Sequence, residues 1–269
     1  MNREELVNII TKELLRTLAE EDENRIVRTE ASGEGFIDDA VVQQMKTKTP
    51  ARIGVGKAGP RLRTNTLLKL RADHACAKDA VLRSVDDGFL ERIGLFKVQS
   101  KCRDIQEHLT RPDLGRQLSE EAVMTLKEKC VKNPQVQIYV SDGLSNMAVE
   151  NNVADLLPVL TEGLKDRGIE TGTPFFLKYG RVPTMDQVSE VVSSDLTCVL
   201  IGERPGLAAA DSLSAYITYR ARVGIPESKR TVISNIHERG IQPVEAGAYA
   251  VDVICEALKR QATGVDLKL

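Results

Sequence analysis

The sequence has no tryptophan, few other aromatic residues and no excess of one charge. Phe, Trp and Tyr together make up 4% of its 269 residues, which argues against a stacking surface for bases or sugars. The 37 Lys and Arg residues nearly balance the 39 Asp and Glu residues, so no overall field favours nucleic acid or an acidic membrane surface. We therefore expect neither nucleic acid nor a membrane as a partner.

Cysteine pairs and long apolar runs are also missing. The cysteines are Cys76, Cys102, Cys130, Cys198 and Cys255. This odd, scattered set has no C-x-x-C pair, which argues against a disulfide framework or a zinc site and is typical of reduced thiols. No apolar run approaches the roughly 20 residues of a membrane span, and no signal-peptide pattern begins the chain. We expect a soluble, cytoplasmic protein without a bound metal of its own.

The chain begins with an amphipathic pattern. Apolar residues recur at spacings of three and four within residues 2–19, which predicts a helix with one apolar stripe. Residues 20–45 begin with a charged stretch that is poor in core-forming side chains, which predicts a linker. A tethered helix of this kind either docks onto another protein or packs back on its own domain, and the pattern leaves both interpretations open.

A glycine-rich loop opens residues 46–94, which we interpret as a small helical domain. Gly54-Val-Gly-Lys-Ala-Gly59 matches the G-x-G-x-x-G pattern of dinucleotide-binding loops. That pattern needs a strand before it and a helix directly after it. Here only Arg52 and Ile53 are available for a strand, and Pro60 follows at once. A stand-alone dinucleotide-dependent enzyme is therefore a disfavoured alternative, and a basic loop facing a partner or an anion is favoured.

Residues 95–269 alternate short apolar strands with helices, which predicts the α/β class. We expect a Rossmann-like, doubly wound, mostly parallel sheet. Ligands of such sheets bind outside the carboxyl ends of the strands. The short apolar strand at Val199–Ile201 ends in Gly202-Glu203-Arg204-Pro205-Gly206. This charged turn is the first candidate for a ligand-binding segment, with Glu203 and Arg204 pointing to separate partners.

No catalytic constellation accompanies that turn. Asp142 follows a predicted strand and suits either acid–base work or a structural role on loop amides, which we favour. Asn235-x-His237-x-x-Gly240 is one residue away from the D-x-H-x-x-G signature by which some corrinoid proteins ligate cobalt. That signature needs an aspartate to orient and polarise the imidazole. The asparagine at this position therefore makes the segment a poor match for a metal-binding site. We predict no catalytic residue and no metal ligand in this chain.

Several segments, in order, are similar to the small (light) subunit of ethanolamine ammonia-lyase, an adenosylcobalamin-dependent enzyme. The matching segments run from about residue 50 to the C-terminus, and together they are specific although each alone is weak. They are Gly54-Val-Gly-Lys-Ala-Gly-Pro-Arg61, Arg71-Ala-Asp-His74, Leu109-Thr-Arg-Pro-Asp-Leu-Gly-Arg116, Val140-Ser-Asp-Gly-Leu-Ser145, Gly172-Thr-Pro-Phe-Phe176, Tyr179-Gly-Arg-Val182, Gly202-Glu-Arg-Pro-Gly-Leu207, Ile233-Ser-Asn-Ile236 and Pro243-Val-Glu-Ala246.

The resemblance implies one subunit of a heteromeric lyase that converts ethanolamine to acetaldehyde and ammonia. In that family the large subunit, a TIM barrel, holds the substrate, and the small subunit covers the corrinoid from the other side. Homolysis of the cobalt–carbon bond supplies the adenosyl radical, so the demanding chemistry belongs to the cofactor. The cobalamin keeps its own dimethylbenzimidazole on cobalt (base-on), so that no protein imidazole is required.

The same resemblance implies three cobalamin contacts. They fall on Val182, on Glu203 and on Val232, the residue before the Ile-Ser-Asn-Ile segment. Familiar family members have cysteine at the third position, so Val232 is a departure that preserves a packing or backbone contact but not a thiol contact. Glu203 is expected to accept hydrogen bonds from corrin amides or the nucleotide loop. A pure assembly scaffold without cofactor contacts is the alternative.

The N-terminal helix also acquires a role through the resemblance. Members from ethanolamine-degrading bacteria are packaged in bacterial microcompartments, and a short amphipathic N-terminal helix is implicated in encapsulation. Residues 1–19 followed by the linker suit that role. The implied partners are therefore the large subunit and, through this helix, the microcompartment shell or cargo.

Overall fold

The computed structural model describes residues 39–49 and 51–268. The chain divides into two compact units, residues 1–55 and 56–269. In the first unit, helix α1 (Asp39–Lys46) occupies the end of the predicted 20–45 linker. Val42 is its buried side chain. A β-carbon on Gly54, whose φ is +62°, would collide with Val42 Cγ1. The predicted helix at residues 2–19 lies outside the described residues.

The second unit begins with a small hairpin and two helices. Strands β1 (Lys57–Ala58) and β2 (Arg61–Leu62) pair antiparallel. Helices α2 (Thr64–Leu82) and α3 (Asp87–Arg92) follow, as the sequence predicted. A hairpin therefore stands where a dinucleotide-binding loop would lead directly into a helix.

Six strands form the main sheet, in the order β3-β5-β4-β6-β7-β8. They are β3 (Phe96–Gln99), β4 (Val136–Ser141), β5 (Phe175–Lys178), β6 (Leu196–Gly202), β7 (Leu213–Tyr219) and β8 (Thr231–Ile236). The first four in this order are parallel, whereas β7 and β8 are antiparallel to their neighbours.

The predicted α/β class is confirmed, and the sheet is mixed. Parallel neighbours need a crossover of a dozen or more residues, usually with a helix. Only a loop without an α-helix joins β6 to β7, and the connection from β7 to β8 carries only a short 3₁₀ turn at Glu227–Lys229. These two connections therefore reverse the chain direction. The finer description of the sheet as Rossmann-like and doubly wound stays a prediction.

Two apolar cores lie on the two faces of the sheet. Helices α6 (Asn146–Asp166) and α8 (Pro243–Arg260) contribute to one core, and α5 (Glu120–Lys129) and α7 (Thr184–Val192) contribute to the other. A further short helix, α4 (Ile105–Thr110), precedes α5. Ile138 and Tyr139 go to opposite cores, so β4 is buried on both faces along its whole length.

Serine side chains cap two of these helices, and the small helical segment before residue 94 contributes to the main core. Ser119 Oγ accepts from Ala122 N at 3.1 Å and Ser145 Oγ from Ala148 N at 3.1 Å, so both serines are N-caps. Phe89 and Leu90 pack into the sheet's own core. The domain boundaries stay predictions. Among the described helices, none is both long and apolar enough to cross a membrane.

A buried ion pair ties α7 to the start of β8. Arg230 Nη1 and Nη2 donate to the two carboxylate oxygens of Asp186 at 2.9 and 3.0 Å. The side chains are 2% and 6% exposed. Arg230 Nε also donates to Glu227 at 2.7 Å. Without Asp186, the buried Nη1 and Nη2 groups of Arg230 would have no carboxylate, and only the exposed Glu227 would remain as its counterion, which costs far more than loss of a surface pair.

We predict that Asp186→Ala lowers the free energy of unfolding by about 3 kcal/mol, because Arg230 stays buried. The control is Asp252→Ala, which removes the exposed 2.9 Å pair with Arg167 and should cost less than about 1 kcal/mol. Urea unfolding of both variants measures the difference. Equal losses in the two variants would contradict the assigned role of the buried pair.

Candidate functional site

Three strand ends meet at one small pocket on the carboxyl edge of the sheet. The pocket has a volume of about 110 Å³. Its lining residues come from the segments after β4, β5 and β6: Gly143, Leu144, Arg181, Val182, Ile201, Gly202, Glu203 and Arg204. Two of the three predicted contact residues, Val182 and Glu203, are therefore neighbours in space although they are far apart in sequence.

Glycines allow the ends of β4 and β6 to approach. A β-carbon on Gly143, whose φ is +53°, would collide with the carbonyl oxygen of Gly202. A β-carbon on Gly202 would collide with the carbonyl oxygens of Asp142 and Ser145. Leu144 N donates to Gly202 O at 2.9 Å across this junction. The two loops are thus held together by backbone contacts that only glycine permits.

Asp142 fixes the segment after β5, which forms one side of the pocket. Its carboxylate accepts hydrogen bonds from Tyr179 N at 2.8 Å and Gly180 N at 3.3 Å. Tyr179 has a φ of +58°, a left-handed conformation that is costly for a bulky residue. The buried carboxylate stabilises this turn and thereby positions Arg181 and Val182. The structural role that we favoured for Asp142 is confirmed by these two contacts.

His108 contacts the loops on both sides of the pocket, and no pattern in the sequence indicated this role. The side chain is buried, and Nε2 lies 2.5 Å from Gly143 O. Arg181 Nη2 donates to the carbonyl oxygen of His108 at 2.6 Å. Burial lowers the pKa of His108 to about 4, so the ring is neutral near pH 7 and adds no charge beside Arg181. A buried ring of this kind gives no periodic signal in a sequence.

Glu203 and Arg204 diverge, as predicted for adjacent residues. Glu203 Oε1 accepts a hydrogen bond from Tyr216 Oη at 3.0 Å, whereas Arg204 is exposed. Burial raises the pKa of Tyr216 to about 12, and the negative charge of Glu203 adds to the rise. The phenol therefore stays protonated and acts as the donor.

Val232 lies away from the pocket. It is the second residue of β8 and pairs with Tyr216, which in turn pairs with Val199 in the middle of β6. It therefore lies near the amino end of β8 and not at the carboxyl edge of the parallel strands. Its side chain is 43% exposed. Val232 therefore belongs to the open face of the sheet, on the same side as Tyr216.

The ring of His237 is occupied by local contacts. His237 Nε2 lies 2.9 Å from Asn235 Oδ1, and Arg239 N donates to Nδ1 at 3.3 Å. Both nitrogens are thus engaged within their own loop, as expected if the near-match to D-x-H-x-x-G is not a metal site. Across residues 39–49 and 51–268, no group of three or more His, Cys, Asp or Glu side chains could hold a metal ion.

Comparisons with known proteins agree on one family. A family model described as the ethanolamine ammonia-lyase light chain (EutC) matches residues 39–268. The ethanolamine ammonia-lyase small subunit of Fusobacterium nucleatum is 53% identical over 264 residues, which cover 98% of this chain and 85% of that relative. The ethanolamine ammonia-lyase small subunit of Clostridium tetani is 57% identical over a region that covers 84% of this chain and 76% of that relative. The small subunit of the same enzyme from Listeria innocua is 46% identical over 90% of this chain and 81% of that relative.

The buried Asp142 predicts a pH-dependent stability. Burial raises the pKa of Asp142 to about 7 from its ordinary 3.8, despite the opposing N–H contacts. Because the folded-state pKa is the higher one, the stability from this group is fully present below about pH 4 and is lost as pH rises through about 7. We therefore expect the unfolding free energy of the wild type, relative to Asp142→Asn, to fall between about pH 4 and pH 7.

Chemical denaturation of both proteins at several pH values checks this expectation. Using Asp142→Asn as the reference cancels the contribution of His108, whose lowered pKa gives a slope of opposite sign between about pH 4 and 6.5. A constant difference between the wild type and the variant over this range would show that Asp142 does not titrate there.

Proposed function

Since the chain belongs to the family of ethanolamine ammonia-lyase light chains, we propose that it is the small subunit of an ammonia-lyase complex and contributes part of a cobalamin site. The complex would convert ethanolamine to acetaldehyde and ammonia together with a large subunit. The observation that carries the proposal is the pocket at the carboxyl edge, where Val182 and Glu203 line one cavity. Ligands of α/β sheets bind at such edges.

The residues of this edge fit the chemistry of a corrinoid. Its amide side chains offer N–H donors and carbonyl oxygens, and its nucleotide loop offers a phosphate. Glu203 supplies carboxylate oxygen, and Val182 supplies an apolar surface. Arg181 lines the pocket and brings the positive charge of its guanidinium group to the same wall. Acceptors, donors and apolar contact are thus present together.

The size of the pocket supports a shared site. Ligand pockets that enclose a drug-sized molecule measure roughly 300–1,000 Å³, whereas this one measures about 110 Å³. Only a peripheral group of a cobalamin would enter it, so the large subunit must cover the rest. When bound, adenosylcobalamin (base-on) supplies the radical by homolysis of its cobalt–carbon bond. This chain binds and orients the cofactor and carries no catalytic residue.

Val232 completes the proposed contact set through packing. With valine at this position no thiol is available, and the exposed side chain offers apolar contact on the open face of β8. The site rests on the parallel strands β4, β5 and β6. We keep the Rossmann-like, doubly wound description as a proposal for this part of the sheet.

Two alternatives make different predictions. A pure assembly scaffold would bind the large subunit without touching the cofactor, so its variants at Glu203 would leave cobalamin affinity unchanged. A stand-alone dinucleotide-dependent enzyme would bind NAD and not cobalamin. The hairpin that follows Val55 disfavours the second alternative, because Gly59 leads into β2 and not into a helix.

We also propose that residues 1–19 direct the complex into a bacterial microcompartment within the cytoplasm, through contacts with the shell or other cargo. Support comes from the amphipathic spacing and the charged stretch that follows it. Such a helix binds a partner groove through its apolar stripe.

We predict that Glu203→Gln lowers the affinity of the two-subunit complex for cobalamin roughly tenfold. The amide keeps the shape of the side chain but removes the charge, and hydrogen bonds to charged groups contribute about 1.5–3 kcal/mol. Absorbance titration of the purified complex with hydroxocobalamin measures the affinity, and ammonia release from ethanolamine measures the activity.

The matched control is Glu162→Gln, an exposed glutamate on α6 beside the opposite edge of the sheet. It should leave affinity and activity at wild-type values. Unchanged cobalamin affinity in Glu203→Gln, with the complex intact, would favour the scaffold alternative.

For the N-terminal helix, we expect deletion of residues 2–19 to leave cobalamin affinity and ammonia release of the complex unchanged while the complex no longer fractionates with microcompartment shells from ethanolamine-grown cells. The undeleted complex in the same strain is the control. Unchanged fractionation with the shells would contradict the targeting role.

A further inference from the structure

Tyr216 is a residue that neither the sequence motifs nor the family resemblance singled out. We propose that it is a positioning residue for Glu203 and a further contact surface for the bound corrinoid, which lies over Tyr216 and the exposed face of β8. This inference rests on the proposed function and extends it from the edge pocket to the sheet face.

The register of the sheet places Tyr216 between the two separated contact positions. It pairs directly with Val232 on β8, and its hydroxyl reaches Glu203 beyond the end of β6 at 3.0 Å. Directly paired residues share a face of the sheet. Tyr216 therefore bridges the exposed Val232 and the pocket that Glu203 lines. One ligand that contacts both Glu203 and Val232 must pass over its ring.

The burial pattern shows that this face is open at β8, whereas Ser214 and Thr218, which flank Tyr216 on the same face of β7, are buried. Ile233 and Ile236 are buried in the core on the opposite side, whereas Val232 and Ser234 are exposed. Tyr216 is half-buried, and its ring packs at the margin of the second core. An aromatic ring beside a valine, next to a carboxylate, suits a large ligand with an apolar body and an amide-bearing rim.

The hydrogen bond restricts the carboxylate before the ligand arrives. A free glutamate side chain has several rotamers and loses that freedom on binding. The phenol takes one lone pair of Oε1 and fixes the orientation of the group, and the remaining oxygen capacity stays available for amide N–H donors. Tyr216 thus acts on the ligand in two ways, through Glu203 and through its own ring.

Substitution Tyr216→Phe separates these two effects, because it removes the hydroxyl and keeps the ring. We expect roughly a fivefold loss of hydroxocobalamin affinity in the two-subunit complex, less than in Glu203→Gln, because the hydroxyl acts on the ligand only by orienting the carboxylate. Tyr216→Leu should lose more, because the ring surface is also gone. The control is Tyr249→Phe on α8, an exposed tyrosine, which should bind cobalamin as the wild type does.

A double-mutant cycle distinguishes positioning from a general structural effect. In a Glu203→Ala background, Tyr216→Phe should change the affinity less than about twofold, because the side chain that it orients is absent. Full additivity of the two changes would overturn the positioning role. Wild-type affinity in both Tyr216→Phe and Tyr216→Leu, with Glu203→Gln still impaired, would overturn this inference and leave the proposed function standing. Wild-type affinity in all three variants would instead count against the cobalamin site itself.

Discussion

The candidate site depends on a single buried carboxylate. Asp142 directly follows β4 and is 3% exposed. Its side chain accepts from the two peptide N–H groups of Tyr179 and Gly180 after β5. Its own carbonyl oxygen lies so near Gly202 that no side chain fits there. One residue thereby sets the relative positions of three strand ends. A backbone turn with positive φ at Tyr179 persists only because such contacts overdetermine it.

The parallel and the antiparallel strands of the mixed sheet contribute different parts of the candidate site. The parallel strands β4, β5 and β6 bring their carboxyl ends together and create the edge pocket. The antiparallel strands β7 and β8 extend the sheet beyond it and leave part of one face open, as the exposed Val232 shows. A ligand larger than the pocket would then also contact this exposed part of the sheet. This arrangement explains how residues on β6 and β8 would contact the same molecule although only one of them lies at the edge.

Patterns that depend on local spacing were readable in the sequence, and patterns that depend on pairing were not. The strands at Phe175–Lys178 and Val136–Ser141 and the caps at Ser119 and Ser145 follow from apolar periodicity and hydrogen-bonding side chains. The antiparallel direction of β7 and β8 depends on connection geometry, which periodicity does not report. Tyr216 and His108 act through partners distant in sequence, Glu203 and Gly143.

The Glu203 turn was found because its charges interrupt an apolar run. The spacing of Gly54, Gly56 and Gly59 matched a nucleotide loop whose context was already wrong in the sequence, and Gly54 serves close packing against Val42.

The hydrogen bond from Tyr216 matters for binding because Glu203 is charged. A carboxylate covered by a partner subunit and a cofactor loses water, and this loss is unfavourable unless hydrogen bonds replace it. Tyr216 provides one such bond before any partner arrives, and amide donors on a corrinoid would provide others. Arg204 next to it remains exposed. The Glu203 carboxylate is therefore suited to N–H donors of a ligand, which is the reason to connect this turn with the amide-bearing rim of a cobalamin.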